Sequence, residues 1–560
     1  MRQSGAQAII QGLLEHGVDT VFGYPGGAIL PLYDALYDAP LRHILTVHEQ
    51  GASHAADGYA RASGKVGVCI ATSGPGATNL VTGLANAYLD SVPVVAITGQ
   101  VATPLMGRDS FQEVDITGIT MPVTKHNFLV KDVRRIPEFM RLAFKIACAG
   151  RPGPVLIDVP RDIQLAEFDL APAALPEAPE PYRLSPAVLA QVKAAAAAIR
   201  SAARPVILAG GGAVAGNAGK AVLELAAKND LPIVCSLMGL GAFASDEVRL
   251  LGLTGMHGGR TANRVVYAAD LIIAVGSRFN DRTTGDRLRY ADGKVIVHLD
   301  VDPAEIEKNI ASVIGLAGEV NCLLTLLTDA AEQRERDDWW RQIREWRQWE
   351  DNSPLPTENE ALTPRLAMEI IGRAAGKDVI YTTDVGQHQM WAALFLNRKA
   401  PRSWLTSGGL GTMGFGLPAA IGAQTALPSK RVVHISGDGS FRMTGNELYT
   451  VALYRLPIIS VIINNGTLGM VRQWQTLFFR ERYSASTLPG VMDFCVYARA
   501  FGIDAAEPAT VAEFEASFTE ALSRNEPKVI VLNISEDEMV TQMVPPGATL
   551  DRNIDLGPDN

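Results

Sequence analysis

Cysteine is scarce in this chain. Its 560 residues include five (Cys69, Cys148, Cys235, Cys322, Cys495), an odd and scattered set with no Cys-x-x-Cys pair. That argues against a disulfide framework and a thiolate zinc site, and it fits buried small residues in a reducing compartment. No apolar run reaches the roughly 18 residues of a membrane helix, so no span is expected. Long basic runs are missing too, and the net charge is -10, which leaves nucleic acid no electrostatic footing. The opening Met1-Arg-Gln-Ser-Gly-Ala lacks the basic and apolar regions of a signal peptide and reads as entering an amphipathic helix directly. The expected compartment is the cytoplasm, with no nucleic acid and no membrane among the partners.

What is present is 47% hydrophobic residues with 52 Gly and 32 Pro, the composition of an α/β protein rich in strand-to-loop turns. The chain is too long for one core, and about three domains is the natural expectation. Prolines 172, 176, 179, 181 and 186 mark one extended linker; Pro354, Pro356 and Pro364 end another. The expected domains are residues 1–165, 186–335 and 360–540, with linkers 166–185 and 336–359 and a tail, 541–560. Trp339, Trp340, Trp346 and Trp349 fall on a charged helical stretch in the second linker, and read as one apolar stripe packing on a domain. Short Val/Ile-rich runs alternate with helical segments, for example Val66–Ala71, Val92–Ile97, Pro205–Ala209, Leu271–Val275 and Val295–Leu299. That alternation predicts an α/β fold of three doubly wound parallel-sheet domains. In such sheets ligands gather beyond the carboxyl ends of the strands.

Two of those ends carry a paired motif. Arg431–Ser436 reads as a strand leading into Gly437-Asp438-Gly439-Ser440, and Pro457–Ile463 leads into Asn464-Asn465. Adjacent strand ends would then present a carboxylate and an amide oxygen to one point, hard ligands suited to Mg²⁺ carrying phosphate oxygens. The glycines on either side of Asp438 leave room for a diphosphate beside the backbone. A lone GDG usually marks a turn, but this spacing resembles the thiamin diphosphate motif. In the first block, Glu49 ends a short apolar run and opens a helix, where an acid ordinarily complements the helix dipole. Ser73-Gly-Pro-Gly76 alone indicates only a tight turn. Gly409-x-Gly411-x-x-Gly414 fits a dinucleotide fingerprint, but the residues before it form a poor strand, and that reading leaves Glu49 and Asn465 unused.

The segments YPGGA, HEQ, ATSGPGATN, DSVPVVAITGQV, FQEVD, GRPGPVLIDVP, TGMHG, TTDVGQHQMW, SGGLGTMGFGLPAAIGA and LGMVRQWQ run in order along nearly the whole chain. Together they resemble the catalytic subunit of acetohydroxyacid synthase. The resemblance implies decarboxylation of pyruvate on thiamin diphosphate. The two-carbon unit is then joined to a second 2-keto acid, giving 2-acetolactate or 2-aceto-2-hydroxybutyrate, the first common step of valine, leucine and isoleucine biosynthesis.

By resemblance, Glu49 hydrogen-bonds N1′ of the aminopyrimidine and activates the cofactor. Asp438, Asn465 and the Thr467 carbonyl match Mg²⁺ ligands. Gln387, His388, Gly437, Gly439 and Ser440 match the diphosphate surroundings. Gly411, Met413 and Met470 match further thiamin contacts, Met413 being the bulky residue that bends the cofactor. Gly26, Gly27, Phe111 and Gln112 match the lining of the reacting pocket. Arg282, Val471 and Trp474 match the acceptor site, where an arginine can grip a carboxylate through two parallel hydrogen bonds. Arg151, Gly210, Gly211, Gly212, Leu237, Met256, His257, Arg278, Asp281 and Asp300 match contacts to a non-redox FAD.

The resemblance also implies a homodimer or homotetramer with each cofactor held between two subunits, and a small regulatory subunit. Two positions depart from the family pattern: Arg161 replaces a lysine, and Asn280 replaces an aspartate in Arg278-Phe-Asn-Asp-Arg282. The alternatives are a catabolic acetolactate synthase, a pyruvate oxidase-like enzyme and a non-catalytic paralogue. The first lacks the Arg278–Arg282 type of segment and FAD; the last would not be expected to keep Glu49, Asp438 and Asn465 together.

Overall fold

The computed structural model describes residues 2–169, 185–311, 314–351, 362–488, 490 and 492–555. Among these residues it contains three six-stranded parallel sheets flanked by helices. Continuous apolar runs are what strands buried on both faces require. Pro205–Ala209 and Leu271–Val275 form strands with the expected bounds, every residue buried. Gly67–Ala71, Val94–Gln100, Val295–Asp300, Arg431–Gly437 and Ile458–Asn464 differ from expectation only at their ends.

In the first sheet the strands lie in the order Arg42–Leu45, Thr20–Gly23, Gly67–Ala71, Val94–Gln100, Val155–Pro160, His126–Leu129. The third sheet repeats that winding with Trp404–Leu405, Val379–Thr383, Arg431–Gly437, Ile458–Asn464, Lys528–Asn533 and Asp504–Ala506. The middle sheet is wound differently: Leu250–Leu253, Ile233–Cys235, Pro205–Ala209, Leu271–Val275, Val295–Asp300, Ile314–Ala317. Its strand order reverses between Pro205–Ala209 and Leu271–Val275, the switch point where doubly wound sheets open a crevice.

One expectation needs correction. The chain does not enter its first helix directly: Arg2–Ser4 pairs antiparallel with Glu167–Asp169, and helix Gly5–Glu15 follows from a Ser4–Gln7 capping box. The expected linkers also hold regular structure. Residues 167–169 form that strand, while Pro186 stands at the start of helix Pro186–Ser201 behind a Ser185 cap, as proline's fixed φ allows. Residues 170–184, with the other four prolines, lie outside the described residues.

In the second linker, Asp337–Asp351 is a helix docked on the middle domain: the indole N–H of Trp339 donates to Pro205 O and that of Trp340 to Asp230 O. Trp346 packs edge-on against Trp339, as the apolar-stripe reading required; the side chain of Trp349 lies outside the described residues. Gln542–Met543 and Ile554–Asp555 pair, and this last segment also returns to the middle domain through Val544 N–H to Met256 O.

The first and third domains pack against each other through helices Glu49–Ser63 and Gly416–Ala426. Their backbones approach so closely that a Cβ on Gly422 would sit 1.9 Å from Ala55 O, and one on Gly58 2.2 Å from Ala419 O. Glu447 of the third domain accepts the backbone N–H groups of Val47 and His48 just before Glu49.

Candidate active site

Strands Arg431–Gly437 and Ile458–Asn464 pair in register, so Asp438 and Asn465 emerge side by side. Asp438 is 1% exposed. Burial pushes its carboxyl up to about 6, against the attraction of Arg442 and nearby backbone N–H groups. Its Oδ2 has no hydrogen-bond partner among the described residues, and neither has Thr467 Oγ1. An orphaned buried carboxylate oxygen is costly unless something cationic completes it. Asn465 is oriented on both sides: Nδ2 donates to Gln387 Oε1 at 3.1 Å, and Oδ1 accepts Thr467 N–H at 3.2 Å.

The cleft around Asp438 is lined by Gly386, Gln387, His388, Met413, Gly437, Gly439, Ser440, Asn465, Thr467, Met470 and Val471, among others. His388 is wholly buried, with burial pushing its imidazole down to about 4 and leaving Nε2 unpartnered. A Cβ on Gly437 would strike the His388 ring at 2.7 Å, so glycine there keeps the wall close. The N-terminus of helix Gln387–Phe395 forms part of the same wall, a favourable setting for an anion.

In the first domain, Glu49 begins helix Glu49–Ser63 behind a His48 cap and is 8% exposed. Asn79 Nδ2 donates to its Oε2 at 2.9 Å, while Oε1 faces Gly76, where a Cβ would lie 3.1 Å away. Gly26 and Gly76 both border Thr72, and Gln112 reaches the same turn at Gly74. A Cβ on Gly26 would collide with Thr72 at 2.5 Å, and Gln112, at a strained φ of 58°, covers Gly74. Phe111 projects outward, 87% exposed. Within one chain, none of Glu49, Gly26, Gly27, Phe111 and Gln112 lines the Asp438 cleft.

A much larger cavity, ≈ 1760 Å³, opens at the switch point of the middle sheet. Arg151, Gly211, Gly212, Leu237, Met256, His257, Arg278, Asp281 and Asp300 line it. Gly210 lies just behind, its N–H bonded to Val275 O. Asp300 has its carboxyl pushed up to about 6 by burial. Arg282, Val471, Trp474 and Gly411 line the same cavity; the Arg282 guanidinium sits 5.8 Å from the Trp474 ring centre. Val385, Gly386, Met470 and Val471 belong to both walls, so the cavity meets the Asp438 cleft there. Asn280 caps helix Asp281–Thr284 by accepting Thr283 N–H at 3.0 Å, a task asparagine and aspartate perform alike.

Three family models match in order along the chain. The thiamine pyrophosphate enzyme N-terminal TPP binding domain covers residues 3–119, the central domain 192–327 and the C-terminal TPP binding domain 384–532. The acetolactate synthase isozyme 2 large subunit of Escherichia coli strain K12 is 47% identical over 549 residues, 98% of each chain. A probable acetolactate synthase large subunit of Methanocaldococcus jannaschii is 47% identical over 558 residues, 98% of this chain and 94% of that one. The chain belongs to the acetolactate synthase large-subunit family.

The acetolactate synthase isozyme 3 large subunit of Escherichia coli is also similar, 43% identical over 532 residues, 93% of this chain and 92% of that one. The activity is that of an acetohydroxyacid synthase: thiamin diphosphate-dependent decarboxylation of pyruvate and condensation of the remainder with a second 2-keto acid. The dinucleotide fingerprint at Gly409–Gly414 is not a strand–turn–helix unit of that kind. Only the two-residue edge strand Trp404–Leu405 precedes it, and the loop is held by the first domain.

Sequence reasoning missed several of this acetolactate synthase's supporting residues. Asn79 orients Glu49. Asp384, fully buried behind the cleft, has an oxygen 3.0 Å from His434 Nε2 and accepts from Ser436 Oγ and Gly416 N–H. Burial alone would raise the Asp384 carboxyl, yet the His434 hydrogen bond and nearby imidazoles hold it below its ordinary range. Only the Asp-Val-Gly run before Gln387 hinted at it.

Proposed function

We propose that this acetolactate synthase large subunit joins pyruvate to a second pyruvate or to 2-ketobutyrate, at a site completed by a second copy of the chain. The observation that carries the reading is the buried Asp438 carboxylate with its unpartnered Oδ2, beside the Asn465 amide and Thr467. Those oxygens suit Mg²⁺, which takes hard ligands and keeps sites for phosphate. Among the described residues no cluster of three or more His, Cys, Asp or Glu offers a rival metal site. Thiamin diphosphate, when bound, supplies a nucleophilic carbon and an electron sink for decarboxylation.

The chain's own residues do the rest. Asp438, Asn465 and the Thr467 carbonyl hold the metal; Gln387, His388, Gly439 and Ser440 surround the diphosphate, and Met413 supports the ring system. Asn79 occupies Glu49 Oε2, leaving Oε1 to share a proton with N1′ of the aminopyrimidine. Arg282 grips the acceptor carboxylate, Trp474 packs against its alkyl group, and Phe111 and Gln112 close the pocket against water. One methylene in such a pocket discriminates by ~1–3 kcal/mol. The larger cavity suits FAD: it exceeds what a keto acid needs, and it opens at a dinucleotide-type switch point. A small regulatory subunit is the further partner that this reading includes.

The test supplies protein, thiamin diphosphate, Mg²⁺ and pyruvate, with and without 2-ketobutyrate, and identifies the products. Acetolactate and acetohydroxybutyrate are expected from a yellow protein that releases FAD on denaturation. Acetaldehyde or acetyl phosphate as the main product would overturn the reading.

A further inference from the structure

The turn Leu89-Asp90-Ser91 belongs to the first domain, yet it touches all three. The Arg278 guanidinium of the middle domain donates to Leu89 O. Arg151 Nε donates to Ser91 Oγ at 2.8 Å, while its Nη1 reaches Glu305 of the middle domain at 2.7 Å. Asp90 itself faces the third domain: Oδ1 accepts Gly409 N–H at 2.7 Å and Oδ2 accepts Gly408 N–H at 3.1 Å.

Asp90 is the last residue of helix Val81–Asp90, the end at which the helix dipole disfavours a negative charge. Its side chain has no exposed surface. A buried carboxylate at that end needs compensation, and it comes from Arg61, 2.9 Å away, and from the two glycine N–H groups. Arg61 in turn pairs with the buried Asp57 and donates to Thr406 O at 3.0 Å. One turn earlier, Asn86 Oδ1 accepts from Ser407 Oγ at 2.5 Å, and Ser407 Oγ accepts Thr412 N–H at 2.9 Å.

The held segment runs Thr406-Ser407-Gly408-Gly409-Leu410-Gly411-Thr412-Met413. Its tip, Gly409 to Gly411, is exposed, so its shape depends on the bonds at its base. Ser407 to Gly411 line the large cavity and Met413 lines the Asp438 cleft, making the loop a wall common to both.

We propose that Asp90 is a positioning residue for carboligation: from the first domain it fixes the Ser407–Met413 loop of the third, and so sets the place of Met413 in the cofactor cleft. The proposal rests on the Asp438 cleft being the diphosphate site, and the experiment separates the two. Asp90→Asn keeps the size of the side chain but removes the charge and one acceptor. Loss of charge-assisted hydrogen bonds of this kind should speed amide exchange across 407–412 by ~10-fold or more. Protection in strand Arg431–Gly437 should stay near wild type, while the loss of one of the two carboxylates paired with Arg61 lowers the melting temperature without unfolding the third domain.

Titration of thiamin diphosphate with Mg²⁺ into the protein should then show affinity falling by ~10-fold, in line with the lost loop order. If Asp90→Asn does not fold, Ser407→Ala loosens the same loop from the other side and should show the same exchange pattern and the same loss of affinity. Unchanged exchange across 407–412 would overturn the proposal, as would a parallel loss of protection throughout the third domain. Wild-type protein that fails to bind the cofactor at all would instead overturn the cleft assignment, while the exchange result on the free protein would still stand.

Discussion

Glu49 enters its helix with one carboxylate oxygen already committed to Asn79, which leaves the other to do chemistry. Glu49→Gln preserves the volume and the Asn79 contact but cannot exchange a proton. Turnover should fall by ~10²–10⁴, the usual worth of a placed acid–base group, while thiamin diphosphate affinity stays within a few-fold. Steady-state acetolactate formation and calorimetric titration check both; normal turnover would remove Glu49 from the mechanism. A second residue makes a stability prediction. Asp158 lies 1% exposed inside the first sheet, and burial pushes its carboxyl up to about 7, although Thr98 and Gln100 donate hydrogen bonds to it. A carboxyl raised in the folded state stabilises the protein fully below its unfolded pKa, and that contribution is lost as pH rises through about 7. Melting of wild type should therefore decline from pH 5 to pH 8 relative to Asp158→Asn. A gap independent of pH would show that the group is ionised throughout. The residues with a visible role in the sequence were those with patterned neighbours. Asp438 and Asn465 were legible because each follows an apolar run. Asn79, Asp90 and Asp384 were not, because a single polar residue at a helix or strand end shows nothing of the partner that the fold brings to it.

At the level of elements, the buried strands were readable because a strand covered on both faces must be apolar throughout. The Arg2–Ser4 and Glu167–Asp169 pair carries mixed polarity over three residues each, too short to show a period. Helix Asp337–Asp351 was legible as a charged helix with a tryptophan stripe that packs on a domain; which domain it docks on depends on two indole N–H bonds that no periodicity displays. The helix crossing that joins the first and third domains was equally hidden, since Gly58 and Gly422 look like ordinary helix-weakening glycines. They are there because the crossing leaves no room for a Cβ. Gly422→Ala should cost ~1–3 kcal/mol by forcing the helices apart, and should shift the melting temperature down by several degrees. It should also lower turnover, because one of these helices starts at Glu49 and the other follows Met413 by three residues. A melting temperature equal to wild type would mean that the crossing is looser than it looks.

For the whole molecule, the separation of Glu49 from the Asp438 cleft within one chain has a consequence that mixing can expose. If each active site takes Glu49 from one copy and Asp438 from its partner, the two inactive variants Glu49→Gln and Asp438→Asn should rescue each other. In a mixed dimer one site contains both altered residues and the other contains neither. Random reassociation makes half the dimers mixed, so activity should return to about a quarter of wild type. Exchange by co-expression or by dilution and reconcentration would form the mixed species, and acetolactate production would report it. Recovery would require the pairing of copies, since no single chain in the mixture holds both intact groups. No recovery, with mixed dimers demonstrated by tagged chains, would return Glu49 and Asp438 to the same subunit. It would then require the first and third domains of one chain to close on the cofactor by moving at the Gly58–Gly422 crossing.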